Sequence, residues 1–154
     1  MNADLEAGCE ARRARLLADF DADSDGTLSD SELHAAQQIA QLMMQHRIQV
    51  KDARILMMGL TFKENCPDVR NTKIVDVVHE LQKYGCKVDV FDPWADADEA
   101  EHEYGLRPVR KAKAGTYDAI IMGVAHQEFR DMGIRKIRAL GRKSHVLYDI
   151  KYVF

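Results

Sequence analysis

Five acidic residues lie within one twelve-residue stretch of this chain, and their spacing is that of a cation-binding loop. Counted from Asp21, carboxylates stand at positions 1, 3 and 5 (Asp21, Asp23 and Asp25), and Glu32 stands at position 12. Hard cations such as Ca²⁺ take six to eight oxygen ligands, and Gly26 at position 6 permits the sharp turn that such a loop needs. The spacing therefore predicts a calcium site.

This stretch resembles the calcium loop of the EF-hand family, and the resemblance covers about residues 10–40. It implies six ligand positions, namely Asp21, Asp23, Asp25, the Thr27 carbonyl, Ser29 through a water, and Glu32. EF-hands normally come in pairs and this chain shows one loop, so weak pairing of two chains through Leu28 is the alternative to the monomer that we expect. The competing interpretation is a solvated acidic loop before a helix, capped by Ser29 or Asp30.

A second group of polar residues follows a short apolar run and has the sequence GLTFKENCPDVRNT at residues 59–72. A helix is predicted to begin near Thr72, and the backbone N–H groups of a helix N-terminus favour an anion such as phosphate. Lys63 adds a point charge, and Arg70 adds a planar fork that can hold phosphate through two hydrogen bonds. The alternatives are a solvated Lys63 and an Arg70 that pairs locally with Asp68 or Glu64.

The elements that position these groups alternate between strands and helices. Strands are predicted at residues 53–60, 87–93, 117–124 and 145–150, with a further edge strand at 106–109. Helices are predicted at 10–20, from Ser29 or Asp30 to Arg47, at 72–84 and at 95–104, with two short helical stretches over 126–140. Short apolar strands that alternate with helices indicate an α/β fold with a three-layer parallel sheet. The loops at the carboxyl ends of the strands should then surround one mouth.

The charge distribution suggests two domains. Residues 1–50 contain nine acidic and four basic residues, a net charge of −5, whereas residues 51–154 have a net charge of +2. We predict an EF-hand-like helix–loop–helix over residues 1–35. The second predicted domain covers residues 36–154, and the helix that begins near residue 30 continues into it.

Residues 36–154 resemble the C-terminal domain of the UDP-glucose/GDP-mannose dehydrogenase family, closest to its bacterial UDP-N-acetylhexosamine and hexosaminuronate 6-dehydrogenases. The segments that carry the resemblance are GLTFKENCPDVRNTKIVDVV (59–78), VDVFDPWAD (88–96), YDAIIMGVAHQEF (117–129) and LYDIK (147–151). It implies a Rossmann-like domain that binds the UDP part of a nucleotide sugar for surface-polysaccharide synthesis. By resemblance, Phe62, Lys63 and Lys151 contact the UDP-sugar, and Arg70 reaches the NAD pyrophosphate.

The same resemblance implies that this chain is catalytically incomplete. The family's NAD-binding domain and its catalytic cysteine belong to N-terminal and central regions that this chain does not match, and the sequence has no GxGxxG. We therefore expect no catalytic residue here, a chain inactive alone, and the missing domains as partners. The alternative is a calcium-responsive binding module, in which the EF-hand regulates or only decorates the α/β domain. Asp92, at a strand end, either grips a ribose or forms a structural turn.

The composition excludes several other classes of protein. A net charge of −3 argues against a nucleic-acid-binding surface, and no apolar run is long enough to span a membrane. The three cysteines show no CxxC spacing, which favours a reducing cytoplasm. We expect Cys86 to lie in or near the core and Cys66 not to be a nucleophile. The six histidines show no metal-ligand spacing.

Overall fold

The computed structural model describes residues 30–70, 72–151 and 153–154, which form four helices and four strands. The helices are α1 (Asp30–Gln45), α2 (Ile74–Lys83), α3 (Ala97–Tyr104) and α4 (Gln127–Arg138). The strands are β1 (Arg54–Met58), β2 (Lys87–Phe91), β3 (Tyr117–Met122) and β4 (Gly141–Asp149). The predicted helix over 10–20 and the calcium loop up to Ser29 lie outside the described residues.

The four strands form one parallel sheet in the order β2-β1-β3-β4. Because β1 is central and pairs with both β2 and β3, the chain winds in both directions from it. This arrangement confirms the predicted α/β, Rossmann-like fold. It also places the carboxyl ends of all four strands at one edge of the sheet, where ligands of such folds bind.

Helices cover both faces of the sheet, so the protein has three layers. On one face, Ile55 and Met57 of β1 pack in a cluster with α1 and α2, to which Ile39 and Met43 contribute. On the other face, Leu56 and Met58 pack in a cluster that includes Phe129 and Ile137 of α4. A central strand that is apolar on both faces needs this double cover, which explains why residues 53–60 form a nearly continuous apolar run.

The structure corrects or refines three local predictions. The predicted edge strand at 106–109 is wrong, because this described segment makes one main-chain bond to β2, from Val109 N–H to the Val90 carbonyl, and Pro108 has no N–H to offer. The last strand begins at Gly141 rather than at 145, across a register irregularity opposite Tyr117 and Ala119. The two predicted helical stretches over 126–140 meet at a non-helical Gly133 inside α4.

Within the part of the chain that the structure describes, no helix is both long and apolar enough to cross a membrane.

Candidate functional site

The loop that joins β1 to α2 begins at Gly59, where the main chain lies against the end of β3. Gly59 has a φ of 103°, and a Cβ atom on it would lie 2.5 Å from Cβ of Val124. Its N–H donates to the Phe91 carbonyl at the end of β2 (2.8 Å). A glycine is therefore required here by both conformation and space, and it ties the loop to both neighbouring strands.

Asp92, directly after β2, is buried and organises the start of this loop. Its Oδ2 accepts hydrogen bonds from the N–H groups of Leu60 (2.6 Å) and Thr61 (3.0 Å), and its Oδ1 accepts from Trp94 and Ala95. Burial alone raises the pKa of Asp92, but the hydrogen bonds from His126, Leu60 and Thr61 outweigh it and bring the pKa below its ordinary value. These bonds support the structural-turn interpretation over a ribose contact.

His126, which lies four residues beyond β3 and directly before α4, is completely buried and connects Asp92 to the β1–α2 loop. Its Nε2 lies 2.9 Å from Oδ2 of Asp92 and 3.2 Å from Oγ1 of Thr61, and its Nδ1 accepts from the Asn65 N–H at 2.9 Å. The Asn65 side-chain oxygen in turn accepts from the N–H of Gln127, the first residue of α4 (2.9 Å). The loop is thereby attached to the N-terminal end of α4.

Phe62 and Lys63 lie at the tip of this anchored loop, and both side chains are exposed. Phe62 is 56% exposed, although its backbone N–H is held by the Asp68 carbonyl at 2.8 Å. The Lys63 carbonyl accepts from the Thr61 hydroxyl at 3.0 Å. An aromatic ring and an ammonium group are therefore presented to solvent on a fixed backbone, at the carboxyl edge of the sheet.

Arg70 is paired within the loop. Its Nε and backbone N–H both donate to Oδ1 of Asp68, at 3.1 and 2.9 Å. Because of these bonds, the pKa of Asp68 lies below the ordinary value for an aspartate, and the pKa of Arg70 lies above the ordinary value for an arginine. The side chain of Arg70 is 71% exposed, so the local pair with Asp68 leaves most of the guanidinium open to solvent.

Lys151 lies beyond β4, in a segment that hydrogen bonds connect to both β4 and α4. Asp149 accepts the N–H groups of Val153 and Phe154, each at 3.0 Å, and Arg130 of α4 donates to the Val153 carbonyl at 3.3 Å. Lys151 itself is half-buried. The sheet thus brings the loop with Phe62, Lys63 and Arg70 to the same edge as Lys151.

The two described cysteines are free thiols with different surroundings. Cys86 is buried, as expected, with its Sγ 3.3 Å from the Val50 carbonyl, and burial together with the nearby Asp118 charge raises the pKa of its thiol to about 11. A thiol with that pKa stays protonated at neutral pH. Cys66 is half-exposed in the β1–α2 loop.

No group of three or more His, Cys, Asp or Glu side chains that could hold a metal is found over residues 30–70, 72–151 and 153–154. The predicted calcium ligands Asp21, Asp23, Asp25, Thr27 and Ser29 lie outside the described residues. Glu32 falls on the first turn of α1.

Sequence reasoning missed the role of His126. Its spacing relative to other histidines carries no signal, because its partners lie 34 to 65 residues away along the chain. One usable signal was present: His126 lies two residues beyond the predicted strand at 117–124, and Asp92 lies near the end of the predicted strand at 87–93. In a parallel sheet, two polar residues at neighbouring strand ends meet at the same edge.

Comparison with known proteins places this geometry in a family. A sequence model of the UDP-glucose/GDP-mannose dehydrogenase family, UDP binding domain, matches residues 56–154. The chain is 56% identical over 120 residues to a UDP-N-acetyl-D-glucosamine 6-dehydrogenase of Pseudomonas aeruginosa and 53% identical to one of Salmonella typhi. In both cases the alignment covers 78% of this chain but 28% of the relative.

Solved structures agree on the fold. A UDP-D-ManNAc dehydrogenase from Pyrococcus horikoshii superposes with a TM-score of 0.64 at 20% identity, covering 87% of this chain and 32% of that one. A UDP-glucose dehydrogenase from Pyrobaculum islandicum superposes with a TM-score of 0.62 at 22% identity, covering 79% and 26%. The described domain is therefore similar to one part of larger enzymes.

Proposed function

This chain belongs to the UDP-glucose/GDP-mannose dehydrogenase family, and we propose that it binds the UDP part of a nucleotide sugar through the loop at residues 59–72. Phe62 and Lys63 contact the UDP-sugar in this proposal, and Lys151 approaches it from the end of β4. The observation that carries the proposal is the exposed Phe62–Lys63 pair on a backbone fixed by buried Asp92 and His126.

The chemistry of the loop tip suits a sugar nucleotide. The Lys63 ammonium supplies a mobile cation for a diphosphate, and such charge-assisted bonds are stronger than neutral ones. Phe62 offers an apolar ring to the uridine or the sugar face. Because the supporting loop is already ordered, binding costs little additional conformational entropy.

In the same proposal the chain supplies the nucleotide-sugar-binding part of an NAD-dependent UDP-sugar 6-dehydrogenase that makes precursors of surface polysaccharides. The similar P. aeruginosa and S. typhi enzymes favour an N-acetylated UDP-hexosamine as the substrate. Because the chain spans 28% of their length, the oxidation requires residues that those relatives carry outside the matched region.

The residues that the structure describes do not by themselves form a dinucleotide site. The sequence lacks GxGxxG, and the turn after β1 is a long polar loop rather than the tight glycine turn that a dinucleotide-binding fold places there. Arg70 is the one residue that we assign to the NAD pyrophosphate, which it would bind through the part of its guanidinium that the pair with Asp68 leaves open to solvent. We therefore expect no NADH formation by this chain with UDP-hexoses; robust turnover would contradict that expectation.

Calorimetry with UDP tests the proposed binding function. We expect one UDP per chain, and we expect Lys63→Ala to weaken binding about ten- to a hundredfold, since a charged hydrogen bond contributes about 1.5–3 kcal/mol. The matched control is Lys143→Ala, which removes another exposed lysine near the start of β4. Equal losses in the two variants would show that general charge, rather than a site at Lys63, attracts the nucleotide.

We propose as a second function that Ca²⁺ binds at residues 21–32 and is sensed through α1. Support comes from α1 (Asp30–Gln45), which carries Glu32 and contacts α2 and β4. The metal-stripped chain should bind one Ca²⁺, and Glu32→Gln should weaken binding at least tenfold, whereas Asp30→Asn, at a non-ligand position, should not. If calcium regulates the α/β domain, hydrogen exchange across residues 30–46 slows when it binds; identical exchange would exclude that coupling.

A further inference from the structure

We propose that His126 is a positioning residue for UDP, because it fixes the backbone around Lys63 through Asn65 without touching the nucleotide. This inference rests on the proposed UDP-binding function. His126 is buried with no exposed surface, whereas Phe62 is 56% exposed and Lys63 is exposed. The groups that meet the ligand and the groups that hold them in place are therefore different residues.

The hydrogen bonds assign the tautomer of His126. Nδ1 accepts the Asn65 N–H, so the ring proton is on Nε2. The Thr61 hydroxyl gives its own hydrogen to the Lys63 carbonyl, so Thr61 is an acceptor toward the ring. The Nε2–H therefore points at two acceptors, Oδ2 of Asp92 and Oγ1 of Thr61.

The same ring thus holds the loop on both sides of Lys63. On one side, Thr61 links His126 to the Lys63 carbonyl. On the other side, the Asn65 N–H binds Nδ1 directly, and the Asn65 amide oxygen binds the first N–H of α4. Asn65 has a φ of 54°, a left-handed conformation that asparagine tolerates better than most residues. Residues 62–64 are the short span between these two anchors.

Two variants of His126 test the contributions of its two ring nitrogens separately. In His126→Asn, the amide oxygen takes the place of Nδ1 and keeps an acceptor for Asn65, but the donor toward Asp92 is lost. In His126→Gln, the amide nitrogen takes the place of Nε2 and keeps the donor toward Asp92, but the Asn65 N–H is left without its acceptor. Both variants remove the ring that stacks against Trp94, so both lose this ring contact.

Titration calorimetry with UDP, together with urea unfolding, tests the proposal. We expect similar losses of unfolding midpoint in both variants, a loss of UDP affinity of about tenfold or more in His126→Gln, and affinity within about threefold of the wild type in His126→Asn. The exposed His102→Gln is the matched control and should change neither quantity. If the two His126 variants bind UDP equally well, His126 acts only in folding and the proposal is overturned.

Hydrogen exchange of the loop amides tests the positioning role of His126 separately from the proposed UDP binding. If the wild-type chain binds no UDP, the proposed function fails, and the positioning role is then decided by the exchange rates of residues 62–65. Faster exchange in His126→Gln than in His126→Asn supports the positioning role. Equal exchange in the two variants overturns it.

Discussion

At the scale of single residues, Asp92 determines how the functional loop begins. Its four backbone hydrogen bonds and its contact with His126 use both carboxylate oxygens. From the sequence, Asp92 was ambiguous between a ribose contact and a turn, because a strand-end aspartate occurs in both settings. The ambiguity is physical: its partners are main-chain N–H groups and a distant histidine, which no local spacing reveals.

The charge of Asp92 should make its contribution to stability dependent on pH. The folded-state pKa of Asp92 is lowered, so the contribution is present above the unfolded-state value near pH 4 and is lost as the pH falls through the folded-state pKa. We predict that Asp92→Asn lowers the free energy of unfolding by about 2–4 kcal/mol at pH 7. The asparagine amide has one acceptor oxygen, so it cannot replace both carboxylate oxygens. Urea unfolding should show this cost shrinking below pH 4. A cost that is the same at pH 7 and pH 3 would exclude this role for the charge.

At the scale of secondary-structure elements, the strand ends are joined by a close main-chain approach at Gly59. The apolar runs and the helical spacing made most strands and helices predictable, since a parallel strand buried on both faces has a recognisable composition. The wrong edge strand at 106–109 contains Pro108, which has no N–H and is itself a sequence signal against a paired strand. The early start of β4 at Gly141 had no sequence signal, because it depends on the irregular pairing opposite Tyr117 in the assembled sheet.

Gly59→Ala should disrupt this junction of elements far more than a comparable substitution elsewhere. The new methyl group would overlap Val124, and the φ of 103° is unfavourable for alanine. We therefore expect the free energy of unfolding to fall by about 3 kcal/mol or more, with weaker UDP binding. Gly105→Ala is the matched control: Gly105 ends α3 with a φ of 67° and open space around it, so its cost should be about 1 kcal/mol. Equal costs in chemical denaturation would refute the close-approach argument.

At the scale of the whole molecule, the parallel sheet brings residues that are far apart in sequence together at one site. The order β2-β1-β3-β4 brings the loop after Gly59 beside Asp92 and His126, with the segment after Asp149 at the same edge. The meeting of these loops was predictable from parallel topology. The role of His126 as a shared anchor was not, because it depends on distances across three strand ends.

An NMR titration of the isotopically labelled chain with UDP is the most direct test of whether the loop at residues 59–72 binds the nucleotide. We expect saturable amide shifts concentrated at residues 60–66 and 126–127, reduced in Lys63→Ala but not in Lys143→Ala. A well-dispersed spectrum that does not change in about 10 mM UDP, which would occupy even a site of millimolar affinity, would contradict binding at this loop. Shifts confined to the exposed surfaces of α1 and α2 would contradict it equally.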